Sequence, residues 1–167
     1  WVTGTPNINL NREINLVGNG VNIASGSVIP ITADFTEYGN VSAGTILTRT
    51  FTIQNLGTEN LTLTNASALV SVSGSSAFTV EAQPGSATIA GGANQTFQIK
   101  FAPNNAGTFI ATVTIASDDC DENPYTFVVQ GTGTDRAPLA IHEIGKPVTI
   151  DFSNFNASGV TNAPNLN

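Results

Sequence analysis

Residues 107–134 carry the pattern that most restricts how this chain can fold. Phe109, Ala111, Val113 and Ile115 alternate with Thr108, Thr112 and Thr114. A period of two puts the first set on one face of a strand and the second on the other. Ile110 breaks the alternation. After the acidic run Ser-Asp-Asp-Cys-Asp-Glu-Asn-Pro at 117–124, the residues Tyr125, Phe127 and Val129 take up the same period. Two such strands predict a hairpin with one aromatic and aliphatic face, which other strands must cover.

Upstream segments supply the cover. Ile14 and Leu16 share a face of a first strand, Gly18-Asn-Gly is a turn because both residue types accept positive φ, and residues 21–23 continue as a short strand. Small residues and Pro30 mark a loop at 24–32, after which Phe35 and Tyr38 return toward the core. Phe51 and Ile53 point inward from one strand and Leu61 and Leu63 from the next, with Leu56-Gly-Thr-Glu between them, so this segment reads as a second hairpin. Weaker alternations follow, Val70/Val72 and Phe78/Val80, where irregular edge strands are expected. Residues 86–89 form a brief strand, and Phe97, Ile99 and Phe101 alternate cleanly before the turn at Pro103. Seven or more short strands with turns between them predict an all-β sandwich.

Composition agrees. Charged residues are only 10% of the 167, and Thr, Ser, Asn and Gly fill the polar positions, which favours sheet over helix. The net charge of −7 and the scatter of Arg12, Arg49, Lys100, Arg136 and Lys146 disfavour nucleic acid, whose phosphates call for clustered cations. Cys120 is alone, so no disulfide forms within the chain. No apolar run approaches the roughly 18 residues of a membrane-spanning helix; no membrane insertion is expected. With no Met and no signal-type leader, the sequence reads as an internal or processed piece of a longer protein. Trp1-Val-Thr-Gly-Thr is similar to the later Val129-Gln-Gly-Thr-Gly-Thr. The organisation expected is therefore the end of a preceding module or a linker at 1–12, one sandwich domain at 13–134, and a linker with the start of a following segment at 135–167. That last stretch holds possible strands at 139–144 and 148–155 and an extended tail.

Several runs together resemble one family. They are Asn15-Leu-Val-Gly-Asn-Gly-Val-Asn-Ile, Thr50-Phe-Thr-Ile-Gln-Asn-Leu-Gly-Thr-Glu-Asn-Leu-Thr-Leu, Phe101-Ala-Pro, Ala116-Ser-Asp-Asp-Cys-Asp-Glu-Asn-Pro-Tyr-Thr-Phe and Gln130-Gly-Thr-Gly. Residues 13–134 resemble the abnormal-spindle/Hydin type of immunoglobulin-like domain, met in bacteria as the "choice-of-anchor D" module. The resemblance implies an immunoglobulin-like sandwich of about seven strands. It implies no catalytic activity, and use as a repeated spacer or adhesive module in large secreted or cell-surface bacterial proteins. The partners implied are neighbouring domains of the same polypeptide, and beyond them export machinery or a surface protein or glycan. Two rivals differ in class: an accessory binding domain of a secreted hydrolase, and an intracellular scaffold of the ciliary or centrosomal kind. Aromatic residues are only 7% and mostly in inward phase, which argues against a sugar-stacking site. A chain at −7 lacks the charge complementarity to meet acidic tubulin.

The acidic turn is the one dense cluster of ligand-type side chains. Asp119, Asp121 and Asn123 have the D-x-D-x-N spacing that opens a calcium loop. However, Pro124 stands where that loop needs Gly, and Gln130 stands where it needs a bidentate Glu. The alternative reading, in which Asp and Asn cap backbone donors of a tight connection, requires no ion and is the one adopted. No cofactor is expected, with calcium at this turn as the sole candidate. His142 beside Glu143 has no second His and no framed nucleophile, so no catalytic residues are expected. Cys120 lies among four carboxylates that oppose the thiolate a nucleophile needs, and reads as an inert turn residue. Asn40, Asn60, Asn65, Asn94 and Asn156 head Asn-x-Ser/Thr triplets, common by chance in a chain this rich in Asn and Thr.

Overall fold

The computed structural model describes residues 11–136; the expectations for residues 1–10 and 137–167, including the two possible strands and His142 with Glu143, lie outside the described residues. Among the described residues every regular element is a strand. In chain order these are β1 (Ile14–Gly18), β2 (Val21–Ile23), β3 (Glu37–Ser42), β4 (Leu47–Asn55), β5 (Leu61–Thr62), β6 (Ser71–Gly74), β7 (Phe78–Ala82), β8 (Thr88–Ile89), β9 (Asn94–Phe101), β10 (Gly107–Ile115) and β11 (Tyr125–Thr134). One sheet runs β2-β1-β4-β9-β7, a second runs β3-β11-β10-β6, and β5 pairs with β8. The described residues form an all-β sandwich.

The core closes between the two sheets as the alternation requires. Phe51, Ile53, Phe97, Ile99 and Phe101 come from one sheet and Val113, Ile115, Phe127 and Val129 from the other, all buried. Phe51 stacks on Phe97 within its own sheet and meets Phe127 of the opposite sheet, with both centroid distances 5.6 Å. These rings therefore bridge the layers. A second group, Tyr38, Phe78 and Phe101, packs by stacked and edge contacts at 4.5–5.7 Å. β10 and β11 form the expected antiparallel hairpin, from Gly107 opposite Gly133 to Ile115 opposite Tyr125. Ile110 lies on its outer face and is 52% exposed, so it breaks the polarity pattern without disturbing the strand.

The inner face of β11 explains the Gln130-Gly-Thr-Gly run. A Cβ at Gly131 would fall on the Phe101 ring, and one at Gly133 on the carbonyl of Asn105 and the ring of Pro103. Glycine there lets an aromatic ring and a turn lie directly on the backbone of β11.

One expected hairpin is not formed. β4 pairs with β1 and β9, whereas β5 pairs with β8 and leads to a bridge between Leu63 and Ser117. The chain crosses between layers at 56–60 instead of folding back on β4. The buried Asn55 side chain winds this connection: its Nδ2 donates to the carbonyls of Glu59 (2.7 Å) and Ile89 (2.9 Å), and its Oδ1 accepts from the N–H of Gly57 (3.1 Å). Apolar alternation reports which way Leu61 and Leu63 face, and that is the same in either topology. Irregularity falls where expected. β6 and β7 are sheet edges, and the register of β7 shifts between Val80 and Ala82. Gln83 closes that side by donating to and accepting from the backbone of Val70, both at 2.8 Å.

The first sheet and β11 together define two poles. β1 starts, β4 ends and β11 starts beside the acidic turn; β11 ends at the far pole, beside Ala43 and the Pro103 turn.

Candidate functional site at the acidic pole

Backbone donors with no ladder partner determine the geometry of the turn at 117–124. Asp119, only 2% exposed, accepts from the N–H of Ile14 through Oδ2 (2.8 Å) and from the N–H of Asp121 through Oδ1 (3.4 Å). Asp118 accepts from the N–H of Thr62 (2.7 Å), and Asn123 accepts through Oδ1 from the N–H of Ser117 (3.1 Å), which closes the turn at its base. The peptide bond between Asn123 and Pro124 is cis. These are the Asx-type caps that Asp and Asn provide where a strand ladder stops.

Of the three residues picked out by spacing, the fold brings Asp119 and Asp121 together and adds Glu13 from the far end of the sequence. Carboxylate oxygens of Glu13, Asp119 and Asp121 lie within 4.8 Å of one another. The side-chain oxygen of Asn123 is engaged at Ser117. Glu13 carried no signal in the sequence, because only the pairing of Ile14 with Asp119 brings it near the turn. The cluster is electrostatically crowded. Burial raises the pKa of Glu13 above the usual carboxylate value, and the charges of Asp119 and Asp121 add to this. Asp119 is raised chiefly by burial, against the lowering effect of the Ile14 N–H. Glu122 is raised by burial and then by Glu13, Asp119 and Asp121. As a metal centre the group offers three carboxylates, with both oxygens of Asp119 already accepting from N–H groups.

The same pole clasps the incoming chain. The carbonyl of Asn11 accepts from Glu59 N–H and that of Glu13 from Leu56 N–H, each at 2.7 Å. Arg12 donates to the carbonyl of Asn60 (3.0 Å) and pairs with Glu59 (3.4 Å) and Asp118 (3.6 Å). At the opposite pole Arg136 donates to the carbonyl of Ala43 (3.0 Å). Cys120 is exposed at the tip of the acidic turn. Elsewhere, the guanidinium of Arg49 lies 4.7 Å from the ring centroids of both Phe35 and Tyr38 and donates to the carbonyl of Glu37 (2.8 Å). Phe35 holds a left-handed backbone with φ of 68°. Val28, Ile29 and Ile31 are exposed on the loop before β3.

Two facing antiparallel-rich sheets, with the N-terminal segment contributing a strand to each, define an immunoglobulin-like sandwich. The chain belongs to the HYDIN/CFA65/VesB-like family of Ig-like domains, whose model matches residues 28–132. No match was found among curated protein sequences. A Porphyromonas gingivalis protein of unknown function is similar in structure at a TM-score of 0.52 and 15% identity, over 72% of this chain and 46% of its own. The chain thus spans under half the length of that protein. The seventh ASH/PapD-like domain of human CEP192 is similar at a TM-score of 0.52 and 14% identity, over 82% of this chain and 94% of its own. At these identities the likeness is one of fold. The secreted serine protease VesC of Vibrio cholerae is similar at a TM-score of 0.47 and 21% identity, over 61% of this chain and 22% of its own.

Proposed function

We propose that residues 13–134 are a non-catalytic immunoglobulin-like module of a larger exported bacterial protein, secreted or held at the cell surface, where they serve as a spacer or adhesive unit of the choice-of-anchor D kind. The observation that carries this reading is the placement of the two joints. The chain comes in at the acidic pole and leaves at the opposite one, separated by β11, whose ten residues span roughly 33 Å. Arg12, Asn11 and Glu13 fix the first joint, and Arg136 on Ala43 fixes the second. A module built this way advances a polypeptide by its own length and holds the direction of the chain at each end, as a spacer requires. Its expected partners are the neighbouring domains of the same polypeptide.

The test is replacement. In the parent polypeptide, residues 13–134 are exchanged for an unrelated sandwich of similar length whose ends also lie at opposite poles. Retention of the parent's surface activity is expected for a spacer, and loss with normal export assigns an adhesive surface. Recovery of the native parent only from the cytoplasmic fraction overturns the exported reading.

A further inference from the structure

We infer that the module is built to carry tension along the chain, and that the ribbon formed by residues 36–43 on the outer edge of β11 is its shear clamp. The inference rests on the spacer reading, since load reaches the sandwich only through flanking polypeptide.

The topology supplies the argument. β3 pairs with β11 in parallel, from Glu37 opposite Gln130 to Ser42 opposite Thr134, while the other pairings between strands are antiparallel. The ribbon extends one residue beyond β3 at each end, to Thr36 and Ala43, and across the loop at 28–35 a separate contact at 26–27 meets the start of β11. Gly26 N–H donates to Thr126 (2.7 Å), Val128 N–H to Ser27 (2.9 Å), Gln130 N–H to Thr36 (3.0 Å) and Ala43 N–H to Thr134 (2.8 Å), with Ser27 and Phe127 bridged in parallel. The side chain of Gln130 adds a bond to Glu37 at 2.9 Å. One end of β11 is therefore tied to the N-terminal side of the chain, and so is the other. Its inner edge is occupied along its length by β10.

Tension pulls the N-terminal side toward the acidic pole and β11 toward the opposite pole. The ribbon and β11 are then drawn past each other along their common axis. The hydrogen bonds of 36–43 lie across that axis and are loaded together once the two bonds at 26–27 have given way and the loop at 28–35 has drawn out, whereas a pair opened from one end loses its bonds one at a time. β1 lies ahead of the ribbon in the load path and is itself drawn lengthwise against β4. Once β1, β2 and the contact at 26–27 are stripped, residues 14–35 extend by at most roughly 75 Å before the ribbon takes the load. Forced unfolding reads the barrier to rupture, not the equilibrium stability, so the two quantities are separable by experiment.

The experiment stretches the complete 167-residue chain, with Cys120→Ser, between handles at its two ends. It is compared with the same chain stretched between a handle at Asn105→Cys and the C-terminal end. Asn105 and Thr134 lie at the same pole, so the second geometry opens β10 from β11 at one end. Rupture at several-fold higher force in the first geometry is expected; equal forces overturn the clamp. Ala43→Pro, which deletes the Ala43 to Thr134 bond, is expected to lower the end-to-end force more than Phe78→Ala does, although the core truncation lowers the melting midpoint further. A force that simply follows the melting midpoint across these variants also overturns the clamp. Either failure leaves the spacer reading standing, because the replacement experiment does not depend on force.

Discussion

Glu13 joins the sandwich to the chain before it while its side chain lies among like charges. Its backbone carbonyl accepts from Leu56, and its carboxylate faces Asp119 and Asp121. Burial and that repulsion raise its folded pKa, and Asp119 and Glu122 are raised in the same direction. A carboxyl with a raised folded pKa holds more protons in the native than in the unfolded state between the two pKa values. The unfolding free energy therefore falls as pH rises through that window, and the penalty is complete above the folded value. The cluster's own contribution to stability is therefore larger in mild acid than at neutrality, the reverse of a carboxylate held by a cation. Glu13→Gln keeps the carbonyl contact and removes the charge. We expect it to melt above the wild type at about pH 7 and to gain less on acidification to about pH 5. Calorimetry at the two values reads the difference; a gap that stays constant between them counts against the assignment.

At the level of elements, the run Gln130-Gly-Thr-Gly gives the sharpest test of strand phase. Gly131→Ala forces a methyl onto the Phe101 ring and should cost about 1–3 kcal/mol, the usual range for overpacking. Thr132→Ala, one position along and on the outer face, should stay within about 0.5 kcal/mol. Denaturant midpoints decide this, and equal losses would mean the phase is wrong. Phase is the property the sequence makes plain: Phe51 and Phe97 stand between threonines and a glutamine, Phe127 keeps the period of Tyr125 and Val129, and all three are buried. Pairing was much less legible. Leu61 and Leu63 face inward whether β5 folds back on β4 or crosses to the other layer, and the decision rests on Asn55, one amide among many in the sequence. The parallel ribbon on β11 was equally silent, because the paired residues are about a hundred positions apart and alternation carries no sign of which strand lies alongside. At the acidic turn the alternate spacing picked out Asp119 and Asp121. The arrival of Glu13 and the use of Asn123 as a cap depended on long-range contacts that spacing does not encode.

Among the described residues, charge gathers at the acidic pole while the outer sheet faces carry mainly hydroxyl and amide groups. Thr48, Thr50, Thr52 and Gln54 of β4 face Lys100, Gln98, Thr96 and Asn94 of β9, and Lys100 is paired with Glu81. A module with neutral sides and one acidic end raises the question of whether a cation neutralises that end. Calcium takes roughly six to eight oxygen ligands. Here Asp119 spends both oxygens on the N–H groups of Ile14 and Asp121, Asn123 spends its oxygen on Ser117, and Asp118 spends one on Thr62. Binding would have to break caps that hold the turn and the start of β1, and it would lose much of what the ion supplies. We expect added calcium to leave the melting midpoint of the full chain unmoved. A tight site would instead add about 2.7 kcal/mol at a hundredfold excess over Kd, a rise of several degrees for a domain of this size. Such a rise, removed by Asp121→Ala, would make the pole a calcium joint; a flat titration leaves the carboxylates as caps whose mutual repulsion the module tolerates.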